Sequence, residues 1–258
     1  ILFSTILLSK IVYSNTIDIE IKGNEFTDND VILSLLKEKP NELNNEYSNY
    51  VIKELDNSQL FENVLVTIID NKYVIQIKEF ANLNKIYFKN NERLKDEDLI
   101  KFSEQLKLTN LNPININNYI SEIQKLYESF GYNNSEIKYS VKVYSETNTA
   151  DLYFDIIEGK ITKVNKIIFK GNENIDKEVL ISSIKTKTKS FINIFANNNF
   201  KKYLLENDLR IITNLYKNNG YLDINVDYKI EYLRTNRVNV YFNIIEGTSY
   251  TFSKVNIL

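Results

Sequence analysis

Asp96, Glu97 and Asp98 form the densest run of carboxylates in the 258-residue chain. Neighbouring carboxylates can exchange a proton in general acid–base work or ligate a divalent cation. The same three residues also suit the first turn of a helix. There, negative charge meets unpaired amides and gains roughly 0.3–1 kcal/mol per residue. No other Asp or Glu is placed by spacing to join them in one pocket, so the helix-start reading is preferred, and Asp28 and Asp30 read the same way. The chain has no His and no Cys. That removes the commonest general base, thiolate nucleophiles, disulfides and Cys-based zinc sites. No GxGxxG or GxxxxGK[ST] run occurs, and Gly23 and Gly171 read as turn glycines. The residues therefore assign no catalytic, metal-binding or cofactor-binding group, and no cofactor is expected.

Two further stretches could meet a partner. Lys185–Lys189, KTKTK, alternates charge. It could touch lipid phosphates or an acidic partner, but a solvated loop is the preferred reading. Beside it lie Phe191, Ile192, Ile194, Phe195 and Phe200. Such an apolar run can cap its own core, or serve as a docking loop for a neighbouring unit or a partner; packing within the chain itself is the preferred reading. The balance of 32 basic and 34 acidic residues leaves a net charge of −2. That gives no basic face for nucleic acid. Hydrophobic residues at 43% and charged residues at 26% are those of a folded globular chain. The wealth of Lys, Asn and Ile reads as the codon bias of an AT-rich genome.

The elements that must position these residues recur. Phe154 opens FDIIEGKITKVNKIIFKGN, and Phe242 opens FNIIEGTSYTFSKVNIL. Asn84–Asn91, NKIYFKNN, matches Asn165–Asn172, NKIIFKGN, with Ile17–Asn24, IDIEIKGN, as a looser copy. Each alternates apolar and polar residues and then meets a turn signal, as a strand does. An acidic opening and a helical pattern follow, with Thr27, Asp28, Asp96 and Asp176 placed to accept from helix-start amides. A second helical pattern puts Ile120, Ile123, Leu126, Tyr127 and Phe130 on one stripe, and later Leu205, Leu209, Ile212, Leu215 and Tyr216. Gly131 and Gly220 suit left-handed helix ends. Two strand patterns then close each unit. The expected architecture is α+β, a tandem βααββ repeat whose units each hold a three-stranded mixed sheet covered by two helices. The boundaries expected are 15–80, 81–159 and 160–248, with neighbouring units packed end to end.

At the start, ILFSTILLSKIVYS is too short and interrupted to span a membrane. Val12 and Ser14 fall like the −3 and −1 residues of a secretory cleavage site. Residues 1–14 are expected to be a signal-peptide remnant, with an exported protein beginning near Asn15. The absence of Met suggests that the initiator is missing. Residues 249–258 read as the opening strand of a fourth unit, interrupted just before its Gly-Asn turn.

The βααββ order, the GN turns, the GY after the second helix and the closing EG resemble POTRA (polypeptide-transport-associated) domains. The resemblance is greatest to the first three of BamA-like outer-membrane assembly factors of the alphaproteobacterial kind. It covers about 15–258. LFENVLV in the first unit and SFINIFANNNFKKYLLENDLRIITNLYKNNGYLDINV in the third carry it most specifically. The resemblance implies a non-enzymatic arm on the periplasmic face of the outer membrane in a Gram-negative cell. It implies binding of unfolded outer-membrane proteins and of accessory lipoproteins, ahead of a membrane barrel further along the full-length chain. It also implies that the first strand of each terminal hairpin lies at a sheet edge: Glu62–Asp70, Glu136–Ser145 and Leu222–Tyr232. Extended peptides can add to such an edge through main-chain bonds. The last strand is the candidate site, through Ile224, Val226, Tyr228 and Ile230. The alternatives are a TamA-like or other polypeptide-transporting arm, an enzyme built on repeats, which would need a convergent polar pocket, and an adhesin-like repeat with no substrate.

Overall fold

The computed structural model describes residues 17–189 and 197–251. The expected signal remnant at 1–14, residues 252–258 of the expected fourth unit, and the loop residues Phe191, Ile192, Ile194 and Phe195 lie outside that range.

The first sheet contains β1 (Ile19–Lys22), β2 (Phe61–Ile69) and β3 (Lys72–Glu79), in the order β1-β3-β2. Its helices are α1 (Asn29–Leu35) and α2 (Asn45–Ser58). β1 runs parallel to β3, and β2 antiparallel to it, so the sheet is mixed. The second sheet contains β4 (Asn82–Lys89), β5 (Glu136–Tyr144) and β6 (Thr149–Ile157), in the order β4-β6-β5. Between its first two strands the chain forms α3 (Asp96–Gln105) and α4 (Pro113–Phe130). The third contains β7 (Lys163–Lys170), β8 (Asn225–Leu233) and β9 (Arg237–Ile245), in the order β7-β9-β8, with α5 (Lys177–Ser183) and α6 (Lys202–Asn218). Its pairing is parallel for β7 and antiparallel for β8. The expected α+β repeat is therefore present three times. By contacts the chain forms two compact units. Of the described residues, one holds 17–85 with 108–116 and 141–151, and the other holds 86–107, 117–140, 152–189 and 197–251.

Each core is built from the central strand and the apolar stripe of the second helix. In the first repeat Ile32, Val51, Leu55, Tyr73 and Ile75 are wholly buried. In the third, Leu205, Ile212 and Tyr216 of α6 pack with Val238, Val240 and Phe242 of β9, joined by Phe200. Phe200 thus packs within its own repeat. The α4 stripe is centred on Ile116, Tyr119, Ile123 and Tyr127, all buried, rather than on Leu126.

The helix starts correct one expectation. Asp28 and Asp176 occupy the N-cap positions of α1 and α5, yet neither side chain accepts a capping hydrogen bond. Lys95, not Asp96, is the N-cap of α3. Asp96 sits inside the first turn, where its Oδ1 instead accepts from Asn91 Nδ2 at 2.7 Å. The asparagine of the turn has taken the oxygen that would otherwise face the helix amides. Asp96, Glu97 and Asp98 all lie in that first turn, as the helix-start reading expects.

The Gly-Asn turns have a steric cause. Gly171 has φ +80, and a Cβ there would lie 2.1 Å from the Ile244 carbonyl oxygen. Gly23 is matched, with φ +84 and a distance of 2.2 Å from the Ile77 oxygen. The turn brings the end of the first strand against the backbone of the central strand, leaving no room for a side chain. Gly171→Ala should destabilise the third repeat by about 2–4 kcal/mol, through both the positive φ and the clash. Hydrogen exchange of β9 amides in the variant and the parent measures this directly.

Candidate strand-docking edges

The strand orders place β2, β5 and β8 at sheet edges, with one side of each unpaired within its sheet. An unpaired side presents a row of N–H and C=O groups to any extended chain. β8 has nine residues and no Pro. It starts at Asn225, later than the expected Leu222, because Tyr221 bridges Ser249 and Asp223 Oδ2 accepts from Tyr250 Oη at 2.6 Å. Ile224 therefore immediately precedes the strand, whereas Val226, Tyr228 and Ile230 lie in it. All four side chains are partly buried against the third core. Tyr228 Oη also donates to Glu206 Oε1 on α6 at 2.9 Å. The structure thus brings the four residues into one row but turns their side chains inward. What they present at the edge is backbone. The outward side chains of β8, at Asn225, Asp227, Lys229 and Glu231, are all exposed and mostly charged.

β2 has a different chemistry. Val64 to Ile69 carries no charge, and Leu65 and Ile69 are 50% and 49% exposed. An edge with apolar side chains on its open face offers area as well as hydrogen bonds.

The edge strands are held by the strand beside them, and the end of that strand is anchored by a carboxylate. Glu246 follows β9 and is almost fully buried. Its Oε1 accepts from Tyr216 Oη at 2.9 Å and from the Asn174 amide at 3.0 Å, and its Oε2 accepts from Asn174 Nδ2 at 2.5 Å. It therefore ties the second helix to the turn before the first helix. Burial alone would raise its pKa, but the bonds from Asn174 and Tyr216 outweigh burial and hold it below the usual value. Burial, reinforced by the bond to Glu246, pushes the Tyr216 hydroxyl well above its ordinary range. Glu158 repeats the arrangement, accepting from Tyr127 Oη at 2.9 Å and the Arg93 amide at 2.7 Å. In the first repeat Glu79 accepts from the Phe26 amide at 3.0 Å, but its Oε1 is buried with no partner. The corresponding helix residue there is Leu55, which has no hydroxyl to offer.

A second buried carboxylate anchors the KTKTK stretch. Asp208 on α6 is completely buried. It accepts from the Lys185 amide at 2.6 Å and the Thr186 amide at 3.0 Å. Lys187 Nζ donates to the Ile181 and Ile184 carbonyls at 3.2 and 2.6 Å, closing the end of α5. Thr186 is buried as well. The part of the run from Lys185 to Lys187 thus has a structural use that a solvated loop would not have.

Elsewhere, Tyr87 and Tyr153 stack at 4.8 Å beside a Lys89–Asp155 ion pair of 2.9 Å. Hydrogen bonds from Lys89 and Asn90 hold the Asp155 carboxyl below its usual pKa. Exposed pairs of this kind add little to stability. Among the described residues, no group of three or more acidic side chains is placed to hold a metal ion. No described helix is long and apolar enough to cross a membrane.

The family model for POTRA, described as surface antigen variable number repeat, matches residues 81–159 and 162–247. The chain belongs to the POTRA family. Its sequence is BamA-like over nearly its whole length. It is 24% identical over 244 residues to the outer membrane protein assembly factor BamA of Neorickettsia risticii (strain Illinois), covering 94% of this chain and 33% of that protein. It is 26% identical over 247 residues to BamA of Buchnera aphidicola subsp. Acyrthosiphon pisum (strain APS), covering 92% of this chain and 39% of that one. The chain thus spans about a third of the length of the curated relatives it matches. Among solved structures it is similar to Haemophilus influenzae BamA POTRA3-5, with 13% identity, a TM-score of 0.44, and coverage of 88% of this chain and 94% of that one.

For a POTRA repeat, the closing EG carries more than a turn. The glutamate is the anchor described above, and sequence reading took it only as a marker. Asp208 was missed too. Its signal was present: it falls three residues after Leu205 and four before Ile212, in the middle of an apolar stripe, where an unpaired carboxylate would be costly.

Proposed function

We propose that this chain is the periplasmic arm of an outer-membrane β-barrel assembly factor. It binds unfolded barrel precursors and accessory lipoproteins by strand addition and positions them for insertion by a barrel elsewhere in the full-length protein. Its three repeats, 15–80, 81–159 and 160–248, act as successive binding modules. The observation that supports this reading most is a paired one. Likeness to BamA assembly factors spans almost the whole chain, and each of the three sheets ends in a strand with one open side. Main-chain bonding is indifferent to sequence, which suits a protein that must accept many precursors. The side-chain environments of the β2 and β8 edges differ, so they can grade preference without fixing it.

Proline substitution tests the β8 site. The Tyr228 amide points away from β9, toward its own Asp227 carboxylate. Tyr228→Pro therefore removes an outward donor and spares the ladder that holds the sheet. Affinity for an unfolded barrel-protein peptide at β8 should fall about tenfold, as expected for one lost hydrogen bond plus a misplaced backbone. Fluorescence anisotropy with a labelled peptide gives the affinity, and amide spectra of the first two repeats report that they remain folded. Unchanged affinity in a folded variant would remove β8 from the binding surface.

A further inference from the structure

The open side of β8 is not wholly free. Tyr228 N–H donates to Asp227 Oδ1 at 2.7 Å. Because the ladder alternates, the amides of Val226, Ile230 and Tyr232 point the same way, into the row an added strand would use. Asp227 itself is exposed, and its carboxylate folds back over the edge to occupy the donor nearest the middle of that row. The same device occurs on β1, another edge, where Ile19 N–H donates to Asp18 Oδ1 at 3.0 Å. On β2 no side-chain oxygen takes a main-chain amide among the described residues, and its central stretch carries no charge at all.

We infer that Asp227 is a removable stopper on the β8 docking edge, displaced only by an extended strand whose main-chain carbonyl takes its place on the Tyr228 amide. This inference rests on the strand-addition reading proposed above. The occupant follows from the geometry of the row: only a peptide in extended form repeats carbonyl oxygens at the spacing of alternate β8 amides. The cost of displacement falls on every incoming strand equally. A short or poorly matched segment that makes few other bonds is therefore rejected, while a long one recovers the loss along the edge. β2, with no such stopper, should accept shorter segments.

The test uses the full chain, labelled with nitrogen-15, and one uncharged probe: an end-blocked nine-residue peptide alternating valine and threonine. Amide shifts of Tyr228 and Ile230 give the affinity at β8 in the parent, in Asp227→Ala and in Asp227→Asn. Losing the stopper in Asp227→Ala should tighten binding about tenfold, whereas Asp227→Asn, which keeps an acceptor oxygen, should stay within about twofold of the parent. Equal affinity in the parent and Asp227→Ala, with β8 shifts in both, would overturn the stopper and leave strand addition standing. Equal tightening in Asp227→Ala and Asp227→Asn would also overturn it, since loss of charge would then be the cause. If no β8 amide moves in any of the three proteins, strand addition at this edge fails, and the stopper fails with it.

Discussion

Glu246→Ala should lower the stability of the third POTRA repeat by about 3–4 kcal/mol, a large share of what a unit of this size possesses. The loss has two parts. The buried Tyr216 hydroxyl is left in the core without its acceptor, and the exposed Asn174 loses the charged acceptor that fixes the turn before α5. The unsatisfied buried hydroxyl costs about 1–3 kcal/mol, and the lost hydrogen bonds to a charged acceptor account for the rest. Glu246→Gln retains one acceptor oxygen and should lose about half as much. Urea unfolding followed through third-repeat amides separates this loss from the stability of the other repeats. The same carboxylate sets an acid dependence. Its folded pKa lies below the ordinary 4.5, so its stabilisation is complete above pH 4.5 and is lost as the pH falls through the depressed folded value. Glu246→Gln should flatten that part of the stability–pH curve.

Asp208→Ala should cost about 2–4 kcal/mol, because the buried Thr186 amide would be left without an acceptor and the Lys185 amide beside it would lose its bond to the same carboxylate. The effect should also be local. Amides from Ile184 to Lys187 should lose protection against hydrogen exchange before those of β9 do, since the carboxylate ties this segment to α6 and not the sheet to itself. Asp208→Asn should fall between, with one amide still bonded and the other facing an NH2 group.

The repeat itself was legible because each of its signals is local. Alternation marked the strands, the Gly-Asn and Gly-Tyr pairs marked the turns, and the stripe through Leu205, Ile212 and Tyr216 marked the second helix. The limits of β2 and β5 lie within a residue of the expected Glu62–Asp70 and Glu136–Ser145. What sequence could not show were the bonds that join distant positions. Glu246 meets residues 30 and 72 positions away, and nothing near it in the chain announces either partner. Whether a side chain of an edge strand faces the core was half legible. Alternation grouped Val226, Tyr228 and Ile230 correctly, but only the packed structure shows that their side chains are spent on the core and that the edge offers backbone instead. The late start of β8 was invisible for a similar reason, since it depends on Ser249 and Tyr250 folding back on Tyr221 and Asp223.

The central claim is that this arm receives extended chains at its sheet edges. The most direct measurement is amide hydrogen exchange of the full chain with and without a saturating unfolded barrel-protein peptide. Strand addition predicts new protection at alternate residues of an edge strand, such as Val226, Tyr228 and Ile230 in β8 or the matching set in β2, with β9 unchanged. Protection spread over helix faces and loops, with none of the edges β2, β5 or β8 affected, would contradict it.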